Sequence, residues 1–114
     1  MSDPIVIASA ARTPIGGMLG DFSSQQAWEL GAVAIKAAVA RSGVAGEAVD
    51  EVLLGNCLMA GQGQAPARQA MRRAGLPDSA GAVTLSKMCG SGMRAMMFAH
   101  DMLVAGSARV VVAG

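Results

Sequence analysis

The chain of 114 residues has a nearly balanced charge and an apolar composition, and both limit what it can be. Hydrophobic residues make up 53% of it and charged residues 15%, and the net charge is +1. This composition is rich enough to build a core, whereas the small charge gives no electrostatic reason to expect nucleic acid or an anionic membrane as a partner. Two Phe, one Trp and no Tyr leave few side chains on which bases could stack.

The cysteine content and the N-terminal sequence favour a reducing, cytoplasmic compartment. Cys57 and Cys89 are the two cysteines, and the apolar run at 5–11 is too short for the core of a secretory signal followed by a cleavage site. The most apolar helical stretch contains Arg94 and Asp101, so no segment qualifies as a membrane span. We therefore expect neither a membrane nor nucleic acid as a partner.

Apolar segments with strand character alternate with helical segments along the whole chain. Strands are predicted at 5–8, 49–56, 82–85 and 109–114, and helices between 23 and 43, between 66 and 75, and from 92 to 105. This alternation predicts a layered α/β domain with a largely parallel sheet, and the β-branched run at 5–8 is typical of a strand buried on both faces.

Local signals define the first two helices and the loops beside them. Ser23 and Gln26 have the spacing of a capping box, and Pro66 and Gly75 open and close the second helix. The buried face of the first helix is predicted to carry Trp28, Ala32, Ile35 and Val39. The long loop at 12–22 is of the kind that often carries function.

Arginines on the second helix allow a functional and a structural interpretation. Arg68 and Arg72 share one face, with Arg73 beside them, and such a group can contact a phosphate or an acidic partner. A solvated helix face explains the same residues and is the commoner case.

The third helix is apolar nearly all round, which predicts a buried helix. We interpret its methionines as core filler. His100 lies 11 residues after Cys89, roughly 16 Å along a helix, so it cannot be the base of that thiol. A buried, hydrogen-bonded histidine is the expectation. The residues of the methionine-bearing face are Met93, Met96, Met97, His100, Leu103 and Val104.

Cys89 falls at the turn between the third predicted strand and this helix. A thiol at a helix N-terminus faces unpaired N–H groups and the positive end of the helix dipole, and both favour the thiolate. Gly90 and Gly92 leave room for a substrate carbonyl, and Ser91 can cap the helix. A buried core cysteine beside a plain Gly-Ser-Gly turn also explains these residues, and on these residues alone it is the preferred interpretation.

Four stretches of sequence carry a more specific signal. They are Ala-Ala-Arg-Thr-Pro-Ile-Gly at 10–16, Gly-Asn at 55–56 with Gly-Gln-Gly-Gln-Ala-Pro-Ala-Arg-Gln at 61–69, Ser-Lys-Met-Cys-Gly-Ser-Gly-Met-Arg-Ala at 86–95, and Val-Val-Val-Ala-Gly at 110–114. In order and spacing they resemble the N-terminal domain of the thiolases, the acyl-CoA C-acyltransferases. The resemblance covers essentially the whole chain and reverses the preference for a core cysteine.

The resemblance implies that Cys89 is the acyl-accepting nucleophile of a thiolase-like α/β fold. An acyl-CoA would acylate the sulfur, and a second acyl-CoA would attack as a carbanion to give a 3-ketoacyl-CoA, with thiolysis as the reverse reaction. It also implies a role in fatty acid metabolism. Coenzyme A enters as part of the thioester substrate, and neither a permanent cofactor nor a metal is implied.

The resemblance further implies that residues 1–114 are an incomplete N-terminal domain. In the family, the histidine that activates the nucleophile and a second, acid/base cysteine lie in a C-terminal domain, and the helix after the nucleophile is covered on both sides. The fragment alone is expected to be inactive, and the complete protein to be a homodimer or homotetramer.

Three other interpretations remain open at this stage. The chain is compatible with another condensing enzyme of the same fold, such as a ketoacyl synthase, although the residues around Cys89 favour a thiolase. It is also compatible with a short, non-catalytic protein that binds a thiolase subunit or an acyl-CoA. A redox-active thiol protein is the weakest of the three, because the sequence has no Cys-x-x-Cys.

Overall fold

The computed structural model describes residues 3–114, which form three helices and a three-stranded sheet. The elements are α1 (Ala27–Ser42), β1 (Glu51–Gly55), α2 (Pro66–Arg73), β2 (Gly81–Leu85), α3 (Ser91–Ala105) and β3 (Val111–Ala113), with a single 3-10 turn at Gly46–Ala48. Within residues 3–114, no helix combines the length and the apolar character needed to cross a membrane.

The sheet is parallel throughout, as the alternation of strands and helices predicts. Its strand order is β2-β1-β3, so β1 is the central strand. Glu51 pairs with Gly81 of β2 and with Val111 of β3, and Gly55 pairs with Leu85. The carboxyl ends of β1 and β2 therefore lie side by side at one edge of the sheet.

The central strand carries one core cluster on each face of the sheet. Val52 packs with Ile35 of α1 and Met71 of α2, whereas the next residue, Leu53, packs with Ala95 of α3. Successive side chains of a strand point to opposite faces, so α1 and α2 cover one face and α3 covers the other. This is the layered α/β arrangement that the sequence predicts.

The start of β3 is tied to β1 by a carboxylate. Asp50 Oδ2 accepts hydrogen bonds from the backbone N–H groups of Arg109, at 2.7 Å, and Val110, at 3.0 Å. These two donors, with the Arg109 charge nearby, hold the pKa of Asp50 below its ordinary value, because they favour the ionised form. The ionised carboxylate thus joins two segments about sixty residues apart.

The first helix has the predicted buried face but a different N-terminus. Ala32 and Ile35 are buried, and Gly43 takes the left-handed conformation that ends the helix. The predicted capping box of Ser23 and Gln26 is wrong by one turn, because the Gln26 N–H donates to Glu29 Oε2 at 2.7 Å. The helix accordingly begins at Ala27, with Gln26 as its N-cap.

The predicted strand at 5–8 is also wrong, because these residues pair with no strand of the described sheet. Val6 and Ile7 are 70% and 77% exposed. The segment instead runs beside α1, where Ser9 Oγ donates to the Ala38 carbonyl and Arg41 Nη1 donates to the Ala10 carbonyl. A β-branched run forms a buried strand only where a neighbouring strand takes its backbone hydrogen bonds, and residues 3–114 provide none beside it.

The third helix is buried on one face only: its apolar pattern predicts a fully buried helix, whereas an incomplete thiolase-like domain, as the resemblance implies, leaves this helix without its second cover. Ala95 and Ala99 pack against the sheet, but the methionines interpreted as core filler are exposed, with Met93 at 68%. Within residues 3–114 only the sheet lies against α3, so its outer face has no cover. The exposed residues of this face are Met93, Met96, Met97, Phe98 and Val104.

Candidate active site

The structure places Cys89 in a tight turn between β2 and α3. The strand ends at Leu85, Gly90 is the N-cap of the helix, and Cys89 is the residue before that cap. Its thiol is free and exposed. The thiol therefore lies at the carboxyl edge of the parallel sheet, where ligands of α/β proteins commonly bind.

The turn contains a strained residue that a buried hydroxyl holds in place. Met88 has φ of +48°, a left-handed conformation that costs a non-glycine residue about 1–3 kcal/mol. The hydroxyl of Ser91 accepts the Lys87 N–H at 2.8 Å and donates to the Met88 carbonyl at 2.6 Å. Ser91 is thus the first residue of α3 and a brace for the turn, which corrects the expectation that it caps the helix.

The end of β1 approaches the start of α3 too closely for any side chain. A Cβ on Gly55 would lie 2.6 Å from the Cβ of Ser91 and 2.7 Å from its carbonyl carbon. Glycine at this position lets the first turn of α3 lie directly on the central strand. The Cys89 turn therefore packs on the central strand through Ser91.

Two of the backbone N–H groups beside Cys89 are used within the turn itself. The Gly90 N–H donates to the Lys87 carbonyl at 3.0 Å, and the Ser91 N–H donates to the Met88 carbonyl at 3.2 Å. Neither is free to bind a substrate oxygen. The positive end of the α3 dipole still lies next to the thiol and favours negative charge there.

A hydrogen-bonded loop follows β1 at the same edge of the sheet. Asn56 Nδ2 donates to Gln62 Oε1 at 2.8 Å, and Gln69 Nε2 donates to the Gln62 carbonyl at 2.9 Å. Cys57 is exposed in this loop, and its thiol is free. The Gly-Gln-Gly-Gln stretch predicted only a loop. Nothing in its spacing indicated that the Gln69 side chain of α2 would bind a backbone carbonyl of this loop.

His100 is exposed, which corrects the prediction of a buried, hydrogen-bonded histidine. Its side chain is 60% exposed, and its Nδ1 lies 3.5 Å from Asp101 Oδ1. It belongs to the uncovered face of α3 and is the one histidine of the sequence. The described residues therefore bring no imidazole to the Cys89 turn.

The arginines of α2 contact the connector between α2 and β2. Arg72 forms an ion pair of 2.6 Å with Asp78, and Arg68 donates to the Ala80 carbonyl at 3.2 Å. Arg73 lies over the Trp28 ring at 6.0 Å. These contacts support the structural interpretation of the three arginines.

A cavity of about 390 Å³ lies at the carboxyl ends of β1 and β3. Small side chains of α1 and α2 form much of its wall, and Arg12, Thr13 and Asn56 are among its lining residues. Arg12 belongs to the long loop at 12–22, and its Nη1 donates to the Thr13 carbonyl at 3.1 Å. Cys89 does not line this cavity.

Within the part of the chain that the structure describes, acidic residues, histidine and cysteines do not gather into a metal site. Residues 3–114 contain no group of three or more such side chains that could hold a metal ion. The chemistry that the described residues offer is that of a thiol at a helix N-terminus. The fold and the site thus define an α/β protein with an exposed cysteine in the strand-to-helix turn of a parallel sheet.

The chain belongs to the thiolase family. A family model described as the thiolase N-terminal domain matches residues 5–114, and this match confirms the resemblance that the four sequence stretches predict. The match covers Cys89 and the residues of its turn.

Curated relatives agree with this assignment. The chain is 54% identical over 110 residues to a mitochondrial acetyl-CoA acetyltransferase of Xenopus tropicalis, covering 96% of this chain and 26% of the relative. It is 50% identical over 111 residues to a cytosolic acetyl-CoA acetyltransferase of Gibberella zeae, covering 97% of this chain and 28% of the relative. The chain thus spans about a quarter of the length of these relatives.

A solved structure has the same fold. The crystal structure of a thiolase from Ascaris suum in complex with coenzyme A superposes with a TM-score of 0.92 at 39% identity. The superposition covers 94% of this chain and 28% of that one. The three layers of residues 3–114 are therefore those of a thiolase.

Proposed function

We propose that Cys89 is the acyl-accepting nucleophile of an acyl-CoA C-acyltransferase. The observation that carries this proposal is the exposed thiol in the turn between β2 and α3, beside the positive end of the helix dipole. A cysteine held in this way can form a covalent intermediate that divides one difficult step into two easier ones. The relatives named acetyl-CoA acetyltransferase support the choice of substrate.

The proposed reaction has two half-reactions. In the first, the Cys89 sulfur attacks the carbonyl carbon of an acyl-CoA, the bond from that carbon to the CoA sulfur breaks, and CoA leaves with a proton. In the second, an acetyl-CoA loses a proton from its methyl carbon, and the resulting carbanion attacks the acylated sulfur's carbonyl carbon. A carbon–carbon bond forms, the bond from that carbonyl carbon to the Cys89 sulfur breaks, and the proton removed from acetyl-CoA returns the sulfur to a thiol. The product, 3-ketoacyl-CoA, is released, and thiolysis is the reverse.

The oxyanion formed in each half-reaction needs a hydrogen-bond donor near Cys89. The Gly90 and Ser91 N–H groups already donate within the turn. We therefore assign the Cys89 N–H itself to the thioester oxygen, with the α3 dipole adding to its effect. We assign the two groups that move protons, a histidine and a second cysteine, to a C-terminal domain outside residues 1–114. Residues 1–114 themselves form an incomplete N-terminal domain of the same enzyme.

The setting of the enzyme is part of the same proposal. Coenzyme A acts as a portion of the substrate and not as a permanent cofactor, in keeping with the Ascaris suum thiolase crystallised with coenzyme A. We propose a cytoplasmic homo-oligomer, a dimer or a tetramer, that works in fatty acid metabolism, and we expect residues 1–114 alone to be inactive. Sizing of the complete polypeptide by light scattering tests the oligomer, and cell fractionation tests the compartment.

Acylation of the protein tests the central proposal. The complete polypeptide is incubated with acetyl-CoA, and the peptide that contains Cys89 is examined by mass spectrometry for one added acetyl group. Cys89→Ser should abolish the modification and the overall reaction without loss of fold. Cys57→Ser, which removes the other exposed thiol, should leave both intact. Acetylation of Cys57, or turnover by the Cys89→Ser variant, would contradict the proposal.

A further inference from the structure

We propose that Ser91 is a positioning residue for the Cys89 thiol, because its buried hydroxyl holds the turn in the conformation that presents the sulfur. This inference rests on the proposed role of Cys89 as the nucleophile. Ser91 would not touch the substrate, and it acts through the backbone on either side of the cysteine.

The hydroxyl of Ser91 uses both of its hydrogen-bonding functions within the turn. It accepts from the Lys87 N–H and donates to the Met88 carbonyl, at 2.8 Å and 2.6 Å. The two bonds thus close a ring around Cys89, from the residue two before it to the residue two after it. Because Ser91 is only 5% exposed, water does not readily replace either bond.

The strained backbone of Met88 is the reason that the ring matters. Its φ of +48° is a conformation that a residue with a long side chain leaves readily when nothing holds it. The bond from the Ser91 hydroxyl to the Met88 carbonyl opposes that relaxation. A return of Met88 to negative φ would rotate the following residue, which is Cys89, away from the start of α3.

The contact with Gly55 fixes the other end of this arrangement. The Cα of Gly55 lies so close to Ser91 that an added Cβ would be 2.6 Å from the Ser91 Cβ. Ser91 therefore cannot shift toward β1 to follow a relaxing turn. Ser91 thus contacts the central strand through its Cβ and the cysteine turn through its hydroxyl. These contacts fix the position of the Cys89 turn relative to both the sheet and the helix.

The chain offers a matched control at the opposite end of the same helix. The Ser107 hydroxyl donates to the Met102 carbonyl at 3.2 Å and is exposed. Ser107→Ala removes a serine hydroxyl and one hydrogen bond to a backbone carbonyl of α3, remote from the cysteine turn. It reports what a general loss of α3 stability does to the reaction.

The test compares Ser91→Ala, Ser91→Thr and Ser107→Ala in the complete polypeptide with the wild type. Acetylation of Cys89 is followed in single turnover over a series of acetyl-CoA concentrations, which separates the maximal rate from the half-saturating concentration. Circular dichroism checks the fold of each variant. For Ser91→Ala we expect the maximal rate to fall about tenfold to a hundredfold, because a nucleophile displaced by about 1 Å loses on that order.

The remaining expectations separate positioning from a general structural role. The half-saturating concentration should change by less than about threefold in Ser91→Ala, since substrate binding is not touched. Ser91→Thr keeps the hydroxyl and should restore the maximal rate to within about threefold of the wild type, and Ser107→Ala should also stay within that range.

Three results would overturn the inference. They are an unchanged maximal rate in Ser91→Ala, an equal loss of rate in Ser107→Ala, and a loss confined to the half-saturating concentration. If Ser91→Ala does not fold, the folded Ser91→Thr variant tests the inference. Because this variant keeps the hydroxyl, a maximal acetylation rate about tenfold below that of the wild type would contradict positioning by the hydroxyl. A wild-type protein in which Cys89 is not acetylated at all would refute the proposed function instead.

Discussion

The substitution Gly55→Ala tests the seat of the cysteine turn on the central strand. The added Cβ would meet the Ser91 Cβ at 2.6 Å, the Ser91 carbonyl carbon at 2.7 Å and the Gly92 nitrogen at 2.8 Å. Two of these three atoms belong to the backbone at the start of α3. The clash therefore cannot be relieved by a side-chain rotation, and the first turn of the helix must move away from β1.

The expected cost follows from two opposing effects. Forcing an extra methyl into a packed interior costs typically about 1–3 kcal/mol. Alanine in place of glycine in a strand returns about 0.5–1 kcal/mol through lower entropy of the unfolded chain. The net expectation is a loss of roughly 0–2.5 kcal/mol in the free energy of unfolding, about 1 kcal/mol from the centres of the two ranges, together with slower acetylation of Cys89.

Urea unfolding of the complete polypeptide measures this loss as a lower midpoint at unchanged slope. Gly17→Ala is the matched control, because a Cβ on Gly17 would meet no atom within 4 Å. Its free energy of unfolding should rise by about 0.5–1 kcal/mol, because the entropy of the unfolded chain falls and no clash opposes the gain. A Gly55→Ala variant as stable as Gly17→Ala, with Cys89 as reactive as in the wild type, would refute the inferred contact between β1 and α3.

Three further predictions concern charge and thiol reactivity. The backbone N–H groups of Arg109 and Val110 hold the pKa of Asp50 down, so the Asp50 carboxylate stabilises the fold fully at a pH above its ordinary pKa, and this stabilisation is lost as the pH falls through the lowered pKa. Asp50→Asn should therefore reduce the loss of stability at acid pH, and an unchanged loss would contradict this. Arg72→Ala breaks an exposed pair with Asp78 and should cost less than about 1 kcal/mol, an effect reduced further by salt in thermal unfolding. Iodoacetamide should label Cys89 faster than Cys57 at neutral pH, and the reverse order in peptide mass spectra would remove the helix-terminus effect.

Most of the elements could be predicted because their signals are local. Each of these signals depends on residues only a few positions apart. They are the helical spacing of Ala32 and Ile35, the apolar runs of β1 to β3, and the glycine that ends α1 at Gly43. The N-cap of α1 was misplaced because two overlapping pairs, Ser23 with Gln26 and Gln26 with Glu29, have the same spacing. Only the observed bond to Glu29 decides between them.

The failures share a different cause, which is the dependence of burial on distant neighbours. The run at 5–8 has the composition of a buried strand, but its exposure depends on whether another strand lies beside it. The methionine face of α3 and His100 were predicted to be buried for the same reason. An apolar segment is stabilised by burial, but whether it is buried depends on other parts of the fold that pack against it.

The sequence alone determined the order of helices and strands from α1 to β3, the parallel layered fold and the position of Cys89 at a strand-to-helix turn. Its four stretches also determined the family, which the thiolase match confirms. Only the tertiary structure decided that Gly55 of β1 lies against Ser91, and that the Ser91 hydroxyl holds the strained Met88 beside the cysteine. The contact of Gly55 with Ser91 joins residues some 36 positions apart, and it arises from strand register and close packing, which no local pattern encodes.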